Sequence, residues 1–314
     1  MLFKRRSGFT LVELLVVISI LAILAAAMVS QVTRARAMGQ AIKCKANLKN
    51  LAQASMNYAV EESENRLPWA GSHEHMWPGL VGNSYRKRYW QRKGWVSWYQ
   101  GGSWPSDTSK PGSVVNFNET DETKAYYALT NGTLWNYVGK DMGAYVCDVH
   151  KAVAKRSNVR KTRWSYAMNA YFGYNYRSGS RDYADLREIF LGSLSSRGNA
   201  DRLLLFAELP AYRLTGGAFK EGLDLTGAKP DGVLNTQIKG YTPSSNEEMI
   251  GFNHQVGKKQ IAHVAYADGH VDVVVAPQSP TDTKLKDLTF LLCNGADIPA
   301  KDSEWATQRS AFLK

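Results

Sequence analysis

One acidic residue lies inside an apolar run near the N-terminus and is the first candidate for chemistry. Glu13 is the only charged residue between Phe9 and Val29, and three basic residues precede the run, Lys4, Arg5 and Arg6. About twenty apolar residues let a helix cross a hydrocarbon core, so the sequence predicts a transmembrane helix over 9–29. Because a charge in lipid costs a few kcal/mol, Glu13 needs a partner. The alternative is an uncleaved anchor with a chance glutamate near the membrane surface.

The residues around Glu13 have a recognisable order. Gly8-Phe9-Thr10-Leu11-Val12-Glu13 resembles the prepilin signature of type IV pilins and type II secretion pseudopilins. The resemblance implies that a prepilin peptidase cuts after Gly8 on the cytoplasmic side and methylates the new amino group of Phe9. It also implies that Glu13, then the fifth residue, neutralises the N-terminal ammonium of a neighbouring pilin or pseudopilin subunit. Two opposite charges leave water together only as a close, hydrogen-bonded pair.

The same resemblance gives an orientation and a set of partners. The N-terminus would be cytoplasmic, the helix would lie in the inner membrane, and the head would be periplasmic. The second half of this helix is predicted to carry a globular head. Along a straight helix, that half lies about 45 Å from Glu13. We therefore expect its partner to come from another molecule and not from its own head.

Three cysteines, Cys44, Cys147 and Cys293, would then occupy a compartment that permits disulfides. One bridge, such as Cys44 to Cys147, and one remaining thiol would be consistent with this number. The sequence does not choose among the pairings, and buried free cysteines are an equal alternative. No CxxC and no paired Cys/His spacing typical of zinc sites is present.

Histidine and aspartate occur together around a predicted hairpin. Asp268-Gly269 separates two alternating runs, which is a strong hairpin signal because a tight turn needs positive φ. The segment 253–276 resembles the H-X9-DG motif of prepilin-like proteins, with thirteen residues instead of nine between His254 and Asp268. His254, Asp268 and His270 could bind calcium or a transition metal, or they could hydrogen-bond and fix the turn.

Other candidate groups carry weaker signals. His73, Glu74 and His75 could bind a metal, although alternating residues on a loop seldom suffice without further ligands. They lie in a tract, 68–123, that is rich in tryptophan, glycine and arginine. Its tryptophans could stack on sugar rings, which would make polysaccharide a ligand, or they could form the small core of a large loop. Glu208 ends the apolar run 202–210 and could be a ligand or a salt-bridge partner, although we interpret it as a solvated carboxylate at the end of a strand.

Catalytic and nucleic-acid functions find no support in the sequence. GxSxG, HExxH, Walker and Rossmann patterns are absent, so no enzymatic activity and no cofactor is predicted. The formal charge of +11 could indicate a polyanion partner. However, part of the basic excess flanks the membrane helix, so no nucleic acid is expected.

These residues must be positioned by one long helix and a sheet. Proline is absent from Phe9 to Glu62, and apolar or small residues recur every three or four positions at Cys44, Leu48, Leu51, Ser55 and Ala59. This predicts one continuous helix over 9–62. The segment AYVCDVHKA suggests a short strand that contains Cys147, and 202–210 and 253–276 supply further strands.

The predicted organisation is a leader peptide at 1–8, the helix at 9–62 and a globular head at 63–314 with an insertion at about 68–123. The fold class is α+β, with a long transmembrane and amphipathic helix packed on an antiparallel sheet, as in pilins. The expected function is a structural pilin-like subunit, minor or at the tip, of a type II secretion or type IV pilus-like filament. The alternative is a membrane-tethered protein that binds or degrades polysaccharide.

Overall fold

The computed structural model describes residues 9–61, 65–70, 94–96, 126, 129–156, 164–169, 172, 191–192, 200–201, 203–215, 218–221, 233–234 and 250–276. The predicted leader 1–8 with Gly8, most of the insertion 68–123 with His73 and His75, and Cys293 lie outside these residues.

Helix α1 is a single α-helix, Leu11–Glu61, of 51 residues. At 1.5 Å per residue its length is about 76 Å. It is long and apolar enough to cross a membrane, and its first half projects from the head with its apolar side chains exposed, for example Leu11 at 79% and Ile23 at 70%. The predicted continuous helix is therefore confirmed, with its start two residues later and its end one residue earlier than expected.

The second half of α1 carries the head. The five residues of the predicted stripe are all buried: Cys44, Leu48, Leu51, Ser55 and Ala59. The polar residues between them, such as Lys45 and Lys49, are exposed. Because the buried positions recur with the helical period, one face of the helix can pack on a sheet while the opposite face stays in water.

The main sheet has six strands among the described residues. They are β1 Tyr166–Asn169, β2 Leu204–Glu208, β5 Val233–Leu234, β6 His254–Val256, β7 Lys259–Tyr266 and β8 Val271–Val275. The order is β5-β1-β2-β7-β6, and β8 pairs with the free side of β7. All pairs are antiparallel except β1 with β5. A separate hairpin joins β3 Tyr212–Thr215 to β4 Ala218–Glu221. The architecture is α+β, as the sequence predicted.

Strand β7 forms a hairpin at each of its ends, with β6 before it and with β8 after it. The predicted Asp268-Gly269 turn joins it to β8, and Gly269 has the positive φ of 87° that this turn requires. Gly257, with φ of 62°, begins the two-residue turn between β6 and β7. Glycine at the first position of such a turn suits the twist of the strands. The residues that lengthen the motif in this chain therefore form a second hairpin.

The segment before and after Cys147 differs from the prediction. Instead of a short strand, Met142–Tyr145 forms a 3-10 helix and Asp148–Arg156 forms helix α2. The Cys147 carbonyl accepts a hydrogen bond from the Lys151 amide, and Asp148 places a carboxylate in the first turn, where helix N-termini favour negative charge. The apolar run AYVC is therefore followed directly by the start of a helix. The hydrophobicity of the run alone did not indicate this.

Aromatic side chains fill the core beside the sheet. Trp95 packs on Tyr145 with ring centroids 5.8 Å apart and meets Phe206 of β2 edge-on at 5.1 Å. Trp69 and Trp95, the described tryptophans of the 68–123 tract, are buried. These two side chains belong to the core and are not available to stack on sugars.

We expect Leu51→Asp to unfold the head. Leu51 is fully buried on the face of α1 that packs on the sheet, so the substitution both removes apolar burial and places a charge in the core, at a cost of about 4 kcal/mol or more. Gln53→Asp, on the exposed face of the same helix, is the matched control and should change stability by about 0.5 kcal/mol or less. Thermal unfolding of the full chain in detergent measures both. Equal transitions for the two variants would contradict the packing.

Candidate functional site

The N-terminus of α1 holds Glu13 in a capping box. One carboxylate oxygen, Oε2, accepts hydrogen bonds from the Thr10 amide at 2.9 Å and from the Thr10 hydroxyl at 2.8 Å. The Thr10 hydroxyl oxygen in turn accepts from the Glu13 amide at 3.3 Å. The reciprocal pair satisfies two amides that a helix start leaves without a partner in the helix.

This geometry gives Glu13 a partner that the sequence argument did not consider. Its first partner is Thr10 of the same chain, whereas the sequence argument required a partner from another molecule. The distance to the head excluded the head as a partner, but it did not exclude donors at the start of the helix itself. Within the isolated chain the carboxylate is therefore hydrogen-bonded.

A second group of polar residues lies in the core, centred on Glu208. This side chain is completely buried, and its carboxylate lies between two buried imidazoles. Oε1 is 2.8 Å from Nδ1 of His263, and Oε2 is 3.2 Å from Nε2 of His254. Oε1 also accepts the His263 backbone amide at 3.2 Å. The interpretation of Glu208 as a solvated strand end was wrong, and the salt-bridge alternative describes it.

Strand register explains why these three residues meet. The pairing of Ala207 with Val264 puts Glu208 opposite His263, so both side chains lie on one face of the sheet. Strand β8 covers one side of β7, and β6 and β2 pair with the beginning and the end of β7 on the other side. The last residue of β2, Glu208, therefore lies next to the first residue of β6, His254.

Asn253 locks the chain between β2 and β6. Its amide nitrogen donates to Oε2 of Glu208 at 3.0 Å and to the Leu209 carbonyl at 2.8 Å, and its oxygen accepts the Ala211 amide at 2.7 Å. Nearby, a Cβ on Gly251 would lie 2.2 Å from the Leu209 oxygen, so only glycine allows the two backbones to approach this closely. Buried polar groups of this kind are stable when every member has a partner.

Two cysteines complete the cluster. Cys44 comes from α1 and Cys147 from the residue before α2, and both are buried free thiols. The Cys147 sulfur is 3.6 Å from Nε2 of His254. The two sulfurs and a ring nitrogen of His254 all lie within 4.8 Å of one another. Of the pairings that the sequence left open, Cys44 with Cys147 joins two sulfurs that lie close together, but the structure has both as buried free thiols, which was the alternative to a bridge.

The charges in this cluster support one another. Burial raises the pKa of Glu208, but the charge and hydrogen bond of His254, together with His263, outweigh burial and lower it to about 2. Burial lowers the pKa of His254, but Glu208 and Cys44 more than offset this and raise it to about 10. A hydrogen bond with Cys147 lowers the pKa of the Cys44 thiol to about 6, and burial raises that of Cys147. These shifts favour a charged Glu208 carboxylate beside a protonated His254, and they favour ionisation of the Cys44 thiol over that of Cys147.

The structure does not bring His254, Asp268 and His270 into one site. Asp268 and His270 lie in the turn after Tyr266, whereas His254 pairs with Ile261, five residues and about 17 Å further back along β7. Asp268 Oδ1 is 2.5 Å from Nδ1 of His270 and accepts the His270 amide at 3.0 Å. The His270 ring stacks on Tyr266 with centroids 4.3 Å apart. These contacts fix the turn.

The donor atoms of the buried cluster form two overlapping sets suited to a metal ion. Cys44, Cys147 and His254 make one set, and Glu208, His254 and His263 make the other. Sequence reasoning named His254 and both cysteines but missed His263 and Asn253. The available signals were His263, a histidine in a run that is otherwise apolar, and Glu208, a carboxylate that ends a buried strand.

Comparison with known proteins adds one finding. Residues 3–29 match the family model of the prokaryotic N-terminal methylation motif. This match supports a prepilin-like protein. No curated protein and no solved structure matches the chain.

We expect Glu208→Ala to destabilise the head by about 3–5 kcal/mol, because it leaves buried imidazoles without their counter-charge. Asp268→Ala removes the carboxylate that pairs with His270. The side chains of His270 and Asp268 are 43% and 36% exposed, so this substitution should cost about 1 kcal/mol or less. The two variants compare the same kind of contact in the core and at the surface. Chemical unfolding of the full chain measures the stability of both variants. Similar losses of stability would mean that the burial of Glu208 does not determine how much its ion pairs contribute.

Proposed function

We propose that this chain is a structural pilin-like subunit that is processed by a prepilin peptidase and assembles through α1 into a filament. The observation that carries the proposal is the methylation motif over residues 3–29, continuous with an apolar half-helix that the head leaves uncovered. Large apolar side chains exposed along several turns require a membrane or other subunits around them. The motif implies both partners, the peptidase and further pilin subunits.

The proposed processing follows from the order of residues. Cleavage after Gly8 removes the basic leader and leaves Phe9 as a methylated N-terminus, two residues before α1 begins. The subunit would lie in the inner membrane with its N-terminus cytoplasmic and its head periplasmic. The filament would be of the type II secretion or type IV pilus kind, and the size of the head favours a minor or tip position over that of a major subunit.

Glu13 has two successive roles in this proposal. In the single subunit its carboxylate caps α1 through Thr10. In the filament it neutralises the Phe9 ammonium of a neighbour, where the low dielectric makes an unpaired charge cost several kcal/mol. A capping interaction contributes only about 1 kcal/mol. It is therefore favourable for Glu13 to exchange Thr10 for the Phe9 ammonium of a neighbour once both charges are removed from water.

A membrane-tethered polysaccharide-binding or degrading protein is the competing function. Its support came from the tryptophan-rich tract 68–123, and the described tryptophans of that tract are buried in the core. No contact of the described residues favours it over the filament subunit.

We expect the mature chain to begin at N-methylated Phe9. Cells that express an active prepilin peptidase should yield this N-terminal peptide, and cells that lack the peptidase should yield the chain with its leader. Mass spectrometry of the N-terminal peptide distinguishes the two. A Met1 chain in the presence of active peptidase would mean that 9–29 is a simple anchor.

We expect Glu13→Ala to leave membrane insertion, cleavage and the protease resistance of the head unchanged, and to reduce incorporation into filaments by tenfold or more, since several kcal/mol of unpaired charge is at stake. Thr10→Val is the matched control because it removes the hydroxyl that bonds Glu13 within the chain but leaves the carboxylate free for a neighbour. Shearing or crosslinking measures incorporation. If both variants lose incorporation equally, the function of Glu13 is to cap the helix; if neither does, the competing anchored function gains support.

A further inference from the structure

The buried cluster joins four segments that are far apart in the sequence. Cys44 lies on α1, Cys147 before α2, Glu208 at the end of β2 and His254 at the start of β6. All four side chains are buried. Two sulfurs and an imidazole nitrogen form one donor set, and His254 shares a second set with Glu208, whose Oε2 lies 3.2 Å from Nε2 of His254. Thiolate and imidazole ligands suit soft divalent transition metals, whereas calcium and magnesium require oxygen ligands.

The distances from Nε2 of His254 to the Cys147 sulfur and to Oε2 of Glu208 fit tetrahedral zinc. Zinc bonds of about 2.3 Å to sulfur and about 2.0–2.1 Å to nitrogen and oxygen place neighbouring ligand atoms about 3.6 Å apart for sulfur and nitrogen and about 3.3 Å apart for nitrogen and oxygen. In the structure, the Cys147 sulfur is 3.6 Å from Nε2 of His254, and Oε2 of Glu208 is 3.2 Å from the same nitrogen. The Cys44 sulfur lies within 4.8 Å of the Cys147 sulfur and the His254 ring.

The surroundings of Glu208 also resemble those of a metal ligand. Ligating carboxylates are held by further hydrogen bonds that orient them. Here His263 donates to Oε1 from its backbone amide, and its Nδ1 lies 2.8 Å from the same oxygen. Asn253 donates to Oε2 at 3.0 Å. The carboxylate is thereby fixed with Oε2 directed toward His254.

We propose that Cys44, Cys147, His254 and Glu208 bind one zinc ion, which joins the long helix to the sheet of the head. Coordination takes both cysteines as thiolates and His254 as the neutral imidazole, so the protons that the thiols and Nε2 hold are released to solvent as the ion binds. Three negative ligands leave the site with one net negative charge. Because the ligands are buried, the ion enters as the head folds, and its binding contributes to folding.

The site explains why four distant segments meet at one nitrogen. Structural zinc sites have four protein ligands and no open position, and they are used where a small core needs a cross-link. Cys44 is the first buried side chain along the described part of α1. A metal at this point fixes the helix to the head where the rod enters it. This inference concerns the head alone and does not depend on cleavage, orientation or assembly.

We expect the full-length chain, purified in detergent under reducing conditions without chelator, to carry about one zinc ion per molecule by elemental analysis. Cys147→Ser and His254→Gln should each lower the zinc content by tenfold or more. His270→Gln, at the exposed turn, is the matched control and should keep the full content. Outer residues act more weakly, so Asn253→Ala should reduce zinc affinity by about 10–100-fold.

A measurement on the unaltered chain covers the case in which a variant does not fold. Removal of zinc by a chelator and replacement with Co²⁺ should give the intense near-ultraviolet absorption of cobalt bound to thiolate, and added Zn²⁺ should abolish it. The proposal is overturned if the reduced chain binds neither ion, or if the protein from the cell envelope carries a Cys44–Cys147 disulfide and no zinc. It is likewise overturned if His254→Gln folds and keeps its metal.

Discussion

A carboxylate that is completely out of water must be neutralised where it lies, and in this head that carboxylate is Glu208. An isolated buried charge costs several kcal/mol even after relaxation, so the surrounding chain has to supply donors and a counter-charge. Its partners are His263 across the sheet, His254 at the start of the next edge strand, and Asn253. A register slip of one residue between β2 and β7 would turn the carboxylate to the other face of the sheet, so this contact specifies the register.

Helix α1 works under a different constraint, because one continuous helix has to suit two environments. Its first half is apolar on every side, as a membrane or a filament core requires, and its second half is apolar on one face only. An unbroken ladder of backbone hydrogen bonds makes the junction between the halves stiff. The polar cluster lies in the second half, where Cys44 is the first described side chain of the helix that the head buries.

The parts of the molecule that depend on local pattern could be predicted from the sequence. The burial of Leu48 and Leu51 followed from a period of three to four residues, and the β7–β8 hairpin followed from Asp268-Gly269 between alternating runs. The buried cluster could not be predicted in the same way, because residues 44, 147, 208, 254 and 263 share no spacing. Glu208 looked like a strand end in water because exposure depends on which other segment covers the end of a strand. Cys147 looked like part of a strand because the following helix start is a feature of the fold.

Stability alone does not account for the composition of the cluster. A buried ion pair can often be replaced by apolar residues with no loss of stability. The presence of the pair between Glu208 and His254 is therefore weak evidence that the pair stabilises the core. Cysteine packs well as a small apolar residue, and Cys44 and Cys147 could fill the same space as alanine or valine. What apolar residues cannot supply is the convergence of two sulfurs and a carboxylate oxygen around one imidazole nitrogen. The chemistry of these atoms, and not their volume, is therefore what distinguishes this contact between helix and head from an ordinary apolar one.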